Sequence, residues 1–136
     1  MVKDIIRDII LLARKSADAT PSDMKTAIDL RDTLMAHSNE CVGMAANMIG
    51  VSKRIIVFDF NGSYMTMFNP EITDASGKYE AEEGCLSLMG LRRTERFQKI
   101  TVKYQDLLFH WQQEEFTGWT AQIIQHEIDH CNGIII

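Results

Sequence analysis

The sequence predicts an α+β fold on three observations. Apolar strand-like segments occupy the middle of the chain, helix-like segments precede and follow them, and an Asn-Gly pair joins two of the strands. Strands grouped between helices, instead of alternating with them, disfavour repeated βαβ units. With 136 residues, 46% of them hydrophobic, the chain can bury a real core, and no repeat, linker or low-complexity tract divides it. Residues 1–136 are therefore expected to form a single domain.

Taken in order, Lys3 to Ser16 carries apolar residues at Ile5, Ile6, Ile9, Ile10 and Leu12. That pattern fits a helix or a buried extended strand equally. Thr20-Pro21-Ser22-Asp23 is a helix-start signal: Thr20 can cap, Pro21 suits the first helical position, and Asp23 favours the positive dipole end. It predicts a helix from about Pro21 to His37 that buries Met24, Ala27, Ile28, Leu34 and Met35. Cys41 to Gly50 is a run of small and apolar residues that lets backbone approach other groups closely. Arg54 to Phe60 reads as a strand, and Asn61-Gly62 as a two-residue hairpin turn into Ser63 to Phe68. Lys99 to Gln105 alternates Ile100, Val102 and Tyr104, and Leu108 to Phe116 can return antiparallel to it. Thr117 can cap a last helix that runs to about His130.

The net charge of −5 argues against a broad nucleic-acid surface, so no DNA partner is expected. Three cysteines, Cys41, Cys85 and Cys131, cannot complete a disulfide framework, and they point to a reducing compartment with free thiols. The N-terminal apolar run is too short and too closely flanked by charges to span a membrane. These features predict a cytoplasmic protein without membrane association.

The chemistry concentrates in Gln125-His126-Glu127-Ile128-Asp129-His130. Two histidines four apart on a helix project from one face and can share a divalent metal ion. Glu127 lies close enough to act on a water at that ion. A catalytic site of this type takes three protein ligands and keeps one position open, so a third ligand must come from elsewhere in the chain. Cys131 follows His130 directly, and at ~100° per residue its thiol points away from the shared ion. Cys41 and Cys85 remain. Cys85 lies in Glu82-Glu83-Gly84-Cys85-Leu86-Ser87, which reads as a turn leading into a strand from which a thiolate can reach a helix packed on the sheet.

Gly43-Met44-Ala45-Ala46, Glu83-Gly84-Cys85-Leu86-Ser87 and Gln125 to His130 occur in that order, and together they resemble the three motifs of peptide deformylases. Ile49-Gly50-Val51, Asn69-Pro70-Glu71-Ile72 and Arg92 extend the resemblance from about Leu30 to Ile134. It implies small antiparallel or mixed sheets packed around a central metal-binding helix. It also implies removal of the formyl group from N-terminal formylmethionine, a formylmethionyl peptide substrate, the ribosome as a candidate partner and a monomeric state. The implied metal ligands are Cys85, His126 and His130, with Fe(II) the expected ion and zinc, nickel or cobalt as substitutes; ligand softness accepts any of them. Val42, Gly43, Gly84 and Ile123 are the implied substrate contacts, and Gln125, Asp129 and Glu83 are candidates to orient the ligands.

The expected chemistry follows from these groups. A divalent ion lowers the pKa of a water it binds towards ~7, Glu127 takes the water proton and passes it to the leaving amine, and the backbone N–H of Leu86 helps stabilise the oxyanion. One catalytic position departs from the family pattern. Where relatives carry a glutamine that donates to the oxyanion, this chain has Met48, and a thioether has no donor. Loss of one such donor costs ~10²–10³ in turnover, so reduced activity is expected. Cys41 replaces the first glycine of the same motif. The sequence also stops at Ile136 without the C-terminal helix of many relatives, which predicts fewer ribosome contacts. Two other readings compete: a paralogue acting on another N-acyl amide, and a non-catalytic metal- or peptide-binding module. Retention of Glu127 argues against the second, since a structural metal site needs no general base.

Overall fold

The computed structural model describes residues 1–136. Its five strands are β1 (Gly43–Ala45), β2 (Ile55–Phe60), β3 (Ser63–Cys85), β4 (Leu88–Gln105) and β5 (Trp111–Thr117), and its helices are α1 (Ile9–Leu12), α2 (Met24–Ala36) and α3 (Gly118–Cys131). The strands pair in sequence order into one antiparallel sheet, and the α+β class is as expected.

The unbroken apolar run of β2 has a direct structural reason. Ile56 and Phe58 face α3 with Met67, Ile100 and Phe116, whereas Ile55 and Val57 face α2 with Leu30, Leu34 and Phe68. A strand covered on both faces has no polar side to alternate with. Asn61 and Gly62 both take positive φ, 53° and 87°, and close the β2–β3 hairpin with Phe60 opposite Ser63.

Strands β3 and β4 run well past the expected Phe68 and start well before the expected Lys99. Their outer part is polar and exposed, so no apolar alternation marks it. Backbone pairing and cross-strand ion pairs such as Lys78–Glu95 at 3.2 Å define it instead. Asn69, at φ 52°, sits where the register shifts between Phe68 and Glu71, and its amide bonds Ala19 and Gln105. The hairpin turns at Leu86 and Ser87, directly after Cys85.

Helix α2 corrects two burial expectations. The buried stripe runs through Ala27, Leu30 and Leu34, and Ile28 and Met35 are exposed at 43% and 50%. The covered face is rotated because Asp29 and Thr33 turn inward, where Thr33 Oγ1 accepts from Lys3 N at 2.9 Å and Asp29 pairs with the Met1 ammonium. Pro21–Asp23 forms a short 3-10 turn before the α-helix begins. Thr117 occupies the cap position of α3, but its side chain makes no capping bond. Residues 1–16 are neither a long helix nor a strand. They lie across the domain with the single turn α1, held where Ile6 N donates to Met48 O at 2.8 Å and Ser16 N to Cys131 O at 2.8 Å.

Candidate metal centre and cleft

Helix α3 carries His126, Glu127 and His130 on its buried side, and the end of β3 brings Cys85 to them. The ligand-capable atoms of Cys85, His126 and His130 all lie within 4.8 Å of one another. The Nε2 atoms of the two histidines face each other at 3.0 Å. Cys131 is fully buried in the core under α3, consistent with a thiol that points away from this group. Cys41 lies at the cleft but donates its thiol to Gly43 O at 2.8 Å, and burial followed by the nearby Glu127 charge pushes its pKa to about 12.

The tautomer of His126 is set from behind. Its Nδ1 lies 2.8 Å from Glu83 Oε1, which leaves Nε2 with its lone pair towards the cluster. Glu83 is 7% exposed and also accepts from Arg96 Nη2 at 2.6 Å, Arg96 Nε at 2.9 Å and Gln122 Nε2 at 2.9 Å. Burial alone would raise its pKa, but the bonds from His126, Arg96 and Gln122 outweigh it and hold the carboxyl at about 2. Arg96, itself 3% exposed, continues to Asp129 Oδ2 at 2.7 Å. Gln125 does different work: its amide both accepts from Phe97 N at 2.8 Å and donates to Phe97 O at 2.9 Å, locking α3 to β4. Of the three candidate orienting residues, Glu83 touches a histidine, Asp129 acts through Arg96, and Gln125 touches the sheet.

Glu127 is deeply buried, and its Oε1 has no hydrogen-bond partner. Burial, with a smaller push from the Glu83 charge, raises its pKa to about 7 against the opposing pull of His126. A methyl group at Gly43 would lie 2.9 Å from Glu127 Oε2 and 2.9 Å from Ile123 Cγ2, so the close approach of β1 to α3 requires glycine there.

The donor set fits a metal ion on these observations. Two imidazole nitrogens and a sulfur converge, and His130 Nδ1 and Glu127 Oε1 are buried without partners. Burial lowers the basicity of both histidines, but Cys85 and Glu83 more than reverse that for His126 and raise it, while His130 stays low.

A cleft of about 710 Å³ opens onto this centre. Val42, Gly43, Gly84, Cys85, Leu86 and Ile123 line it with His126 and Glu127, as do Trp119 and Gln122. Met48 does not. It is 1% exposed in the core under α2, a cluster against which Cys85 and Leu86 also pack. The neighbouring Asn47 amide is committed elsewhere, donating to His130 O at 2.9 Å. Arg92 also stays outside, donating to Met89 O. Sequence reasoning missed Arg96, Arg7 on the cleft lining, and Tyr79, whose hydroxyl donates to Gln122 Oε1 at 3.2 Å. The one available signal was that a buried Glu83 needs a cation, and several arginines in β4 could have supplied it.

The family model for polypeptide deformylase matches residues 6–136. The chain belongs to the polypeptide deformylase family. It is similar to the peptide deformylase of Clostridium beijerinckii, with 52% identity over 136 residues and the full length of both chains. The peptide deformylase of Thermotoga neapolitana is 36% identical over 93% of this chain and 79% of its own. Among solved structures, the Thermotoga maritima peptide deformylase superposes with a TM-score of 0.88 at 32% identity, covering 99% of this chain and 95% of that one. The Met-Ala-Ser-bound class I type b peptide deformylase of Acinetobacter baumannii also gives 0.88, at 28% identity and 99% and 97% coverage. The chain is a hydrolase that removes the N-formyl group from newly made polypeptides. Metal dependence is typical of the family. No helix is long and apolar enough to cross a membrane.

Proposed function

We propose that residues 1–136 form one catalytic unit that acts on formylmethionyl chains in the cytoplasm, as a monomer, with the ribosome as the source of substrate. Cys85, His126 and His130 would hold one divalent ion, Fe(II) natively, with zinc, nickel or cobalt as substitutes for a thiolate and two imidazoles. The single observation that carries this reading is the convergence of those three ligand atoms within 4.8 Å, beside the buried carboxylate of Glu127 on the floor of a cleft. When bound, the ion supplies Lewis acidity and makes water nucleophilic near neutral pH.

The chain's own groups do the rest. Glu127, held against Gly43, accepts the proton of the attacking water and delivers it to the departing amine nitrogen as the C–N bond breaks. A carboxyl near pKa 7 is suited to both transfers at neutral pH. The Leu86 N–H donates to the formyl oxygen as charge grows there. Glu83, backed by Arg96, keeps His126 in one orientation and one tautomer. Strand β1 is the edge of the sheet, so its outer backbone can pair with an extended peptide, while Val42, Gly43, Gly84 and Ile123 contact the methionyl residue.

Met48 supports a slower enzyme than one with a glutamine there, because neither its thioether nor the committed Asn47 amide can donate to the oxyanion. The test is formate release from formyl-Met-Ala-Ser by Fe(II)-loaded protein prepared without oxygen. Glu127→Ala should retain metal and lose formate release. No formate from the wild-type protein would sink the reading.

A further inference from the structure

Apart from Arg7, the cleft is lined by three stretches of chain, residues 38–43, 82–90 and 119–127. Arg7 enters from the N-terminal segment. Its backbone is pinned on both sides: Ile6 N donates to Met48 O at 2.8 Å, and Asp8 Oδ1 accepts from Ile10 N at 2.9 Å at the start of α1. From there the guanidinium crosses to the cleft wall, where Nη1 donates to Leu86 O at 2.7 Å. No carboxylate of the protein forms an ion pair with it, in contrast to Arg96, whose charge is absorbed by Glu83 and Asp129. It is the one Lys or Arg on the cleft lining.

A tethered cation without an anion invites one from the ligand. Nη1 is committed to Leu86, but Nη2 and Nε have no acceptor in the protein, and a planar guanidinium presents such an edge to a carboxylate in bidentate fashion. Leu86 directly follows Cys85. A peptide whose methionine contacts Val42 and Ile123 would carry its next one or two residues past this point, at about 3.4 Å per extended residue. We propose that Arg7 is a specificity-determining residue that favours substrates with an aspartate or glutamate as their second or third residue. The inference rests on the cleft being the deformylation site. It adds a selectivity that neither the metal centre nor the apolar contacts at Val42 and Ile123 would produce.

The experiment compares kcat/KM for formyl-Met-Glu-Ser, formyl-Met-Ala-Ser and formyl-Met-Lys-Ser, all amidated at the C-terminus so that the side chain is the sole variable charge. The metal-loaded wild-type enzyme should prefer the Glu over the Lys peptide by about two- to fivefold at low salt, the range open to a solvent-accessible ion pair. The preference should shrink at about 0.5 M salt. Arg7→Gln should bring the ratio to about one, Arg7→Lys should keep it above one, and Arg7→Glu should invert it. A wild-type ratio of one at low salt overturns the proposal, as does an Arg7→Gln enzyme that keeps the wild-type ratio; Arg7 would then only brace the Leu86 turn. Should Arg7→Gln fail to fold, the salt dependence of the wild-type ratio and the Arg7→Lys ratio still decide. Equal turnover of all three peptides overturns this inference alone, whereas no formate from any of them overturns the reading of the cleft beneath it.

Discussion

Replacing Gly43 by alanine should separate metal binding from turnover. The added methyl would sit 2.9 Å from Glu127 Oε2, 2.9 Å from Ile123 Cγ2 and 3.2 Å from Glu127 Cγ. Carbon contacts are comfortable at about 3.5–4.0 Å, so roughly 0.6 Å or more must be found. Ile123 and Glu127 lie four apart on one face of α3, so one rotamer change cannot clear both contacts, and β1 must part from the helix or the carboxylate must swing away. Overpacking of this kind costs about 1–3 kcal/mol. For a chain of this length that lowers the melting temperature by roughly 3–12 °C. A displacement approaching 1 Å at a catalytic group costs up to ~10² in rate, so kcat for formate release should fall by about ten- to a hundredfold with KM changed much less. Cys85, His126 and His130 are untouched by the methyl, so metal content after purification should match the wild type. A variant with full metal content and kcat within about twofold of wild type would falsify the claim that β1 sets the position of Glu127.

Four further outcomes are expected. Arg96→Leu strands the buried carboxylate of Glu83 and should destabilise the fold by about 3–5 kcal/mol in thermal unfolding; a melting temperature equal to wild type would show that Glu83 needs no partner there. Met48→Gln should raise kcat by about tenfold or more if its amide reaches the oxyanion, and lower stability by about 1–3 kcal/mol by burying a polar group. A variant no faster than wild type would contradict that. Glu127 must be unprotonated to accept a proton, and its carboxyl is raised to about 7 by burial, so kcat/KM should fall with acid along a limb at or below pH 7; a rate that increases from pH 7 to pH 5 is incompatible with this role. Glu83 is held at about 2 in the folded protein against an ordinary 4.5. Its contribution to stability is therefore complete above pH 4.5 and lost as pH falls towards 2, and in acid titrations followed by circular dichroism Glu83→Gln should show a shallower loss over that window.

Some of this molecule was legible in its residues alone, and the reason is local geometry. A helix repeat of 3.6 residues puts His126 and His130 on one face wherever the helix packs, and the same repeat turns Cys131 away. Asn61-Gly62 closes a hairpin because both positions need positive φ. The apolar run at Ile55 to Phe58 marks a strand, although not that helices cover both its faces. Peptide geometry over a few residues determines each of these features.

Tertiary structure decided the rest, because each such feature is a meeting of segments distant in sequence. Polar residues 71–84 became a strand only by pairing with β4, and that pairing placed Arg96 on Glu83 and Glu83 on His126. The inward turn of Asp29 and Thr33 exposed Ile28 and Met35. Why position 43 must be glycine is visible only with Glu127 packed against it. Met48 can be matched to a motif position in the sequence, but its place in the core under α2, outside the cleft lining, comes from packing. Residue spacing along a helix or through a turn is set by bond geometry and can be read from sequence, but which carboxylate meets which cation depends on strand register and on how α3 lies against the sheet.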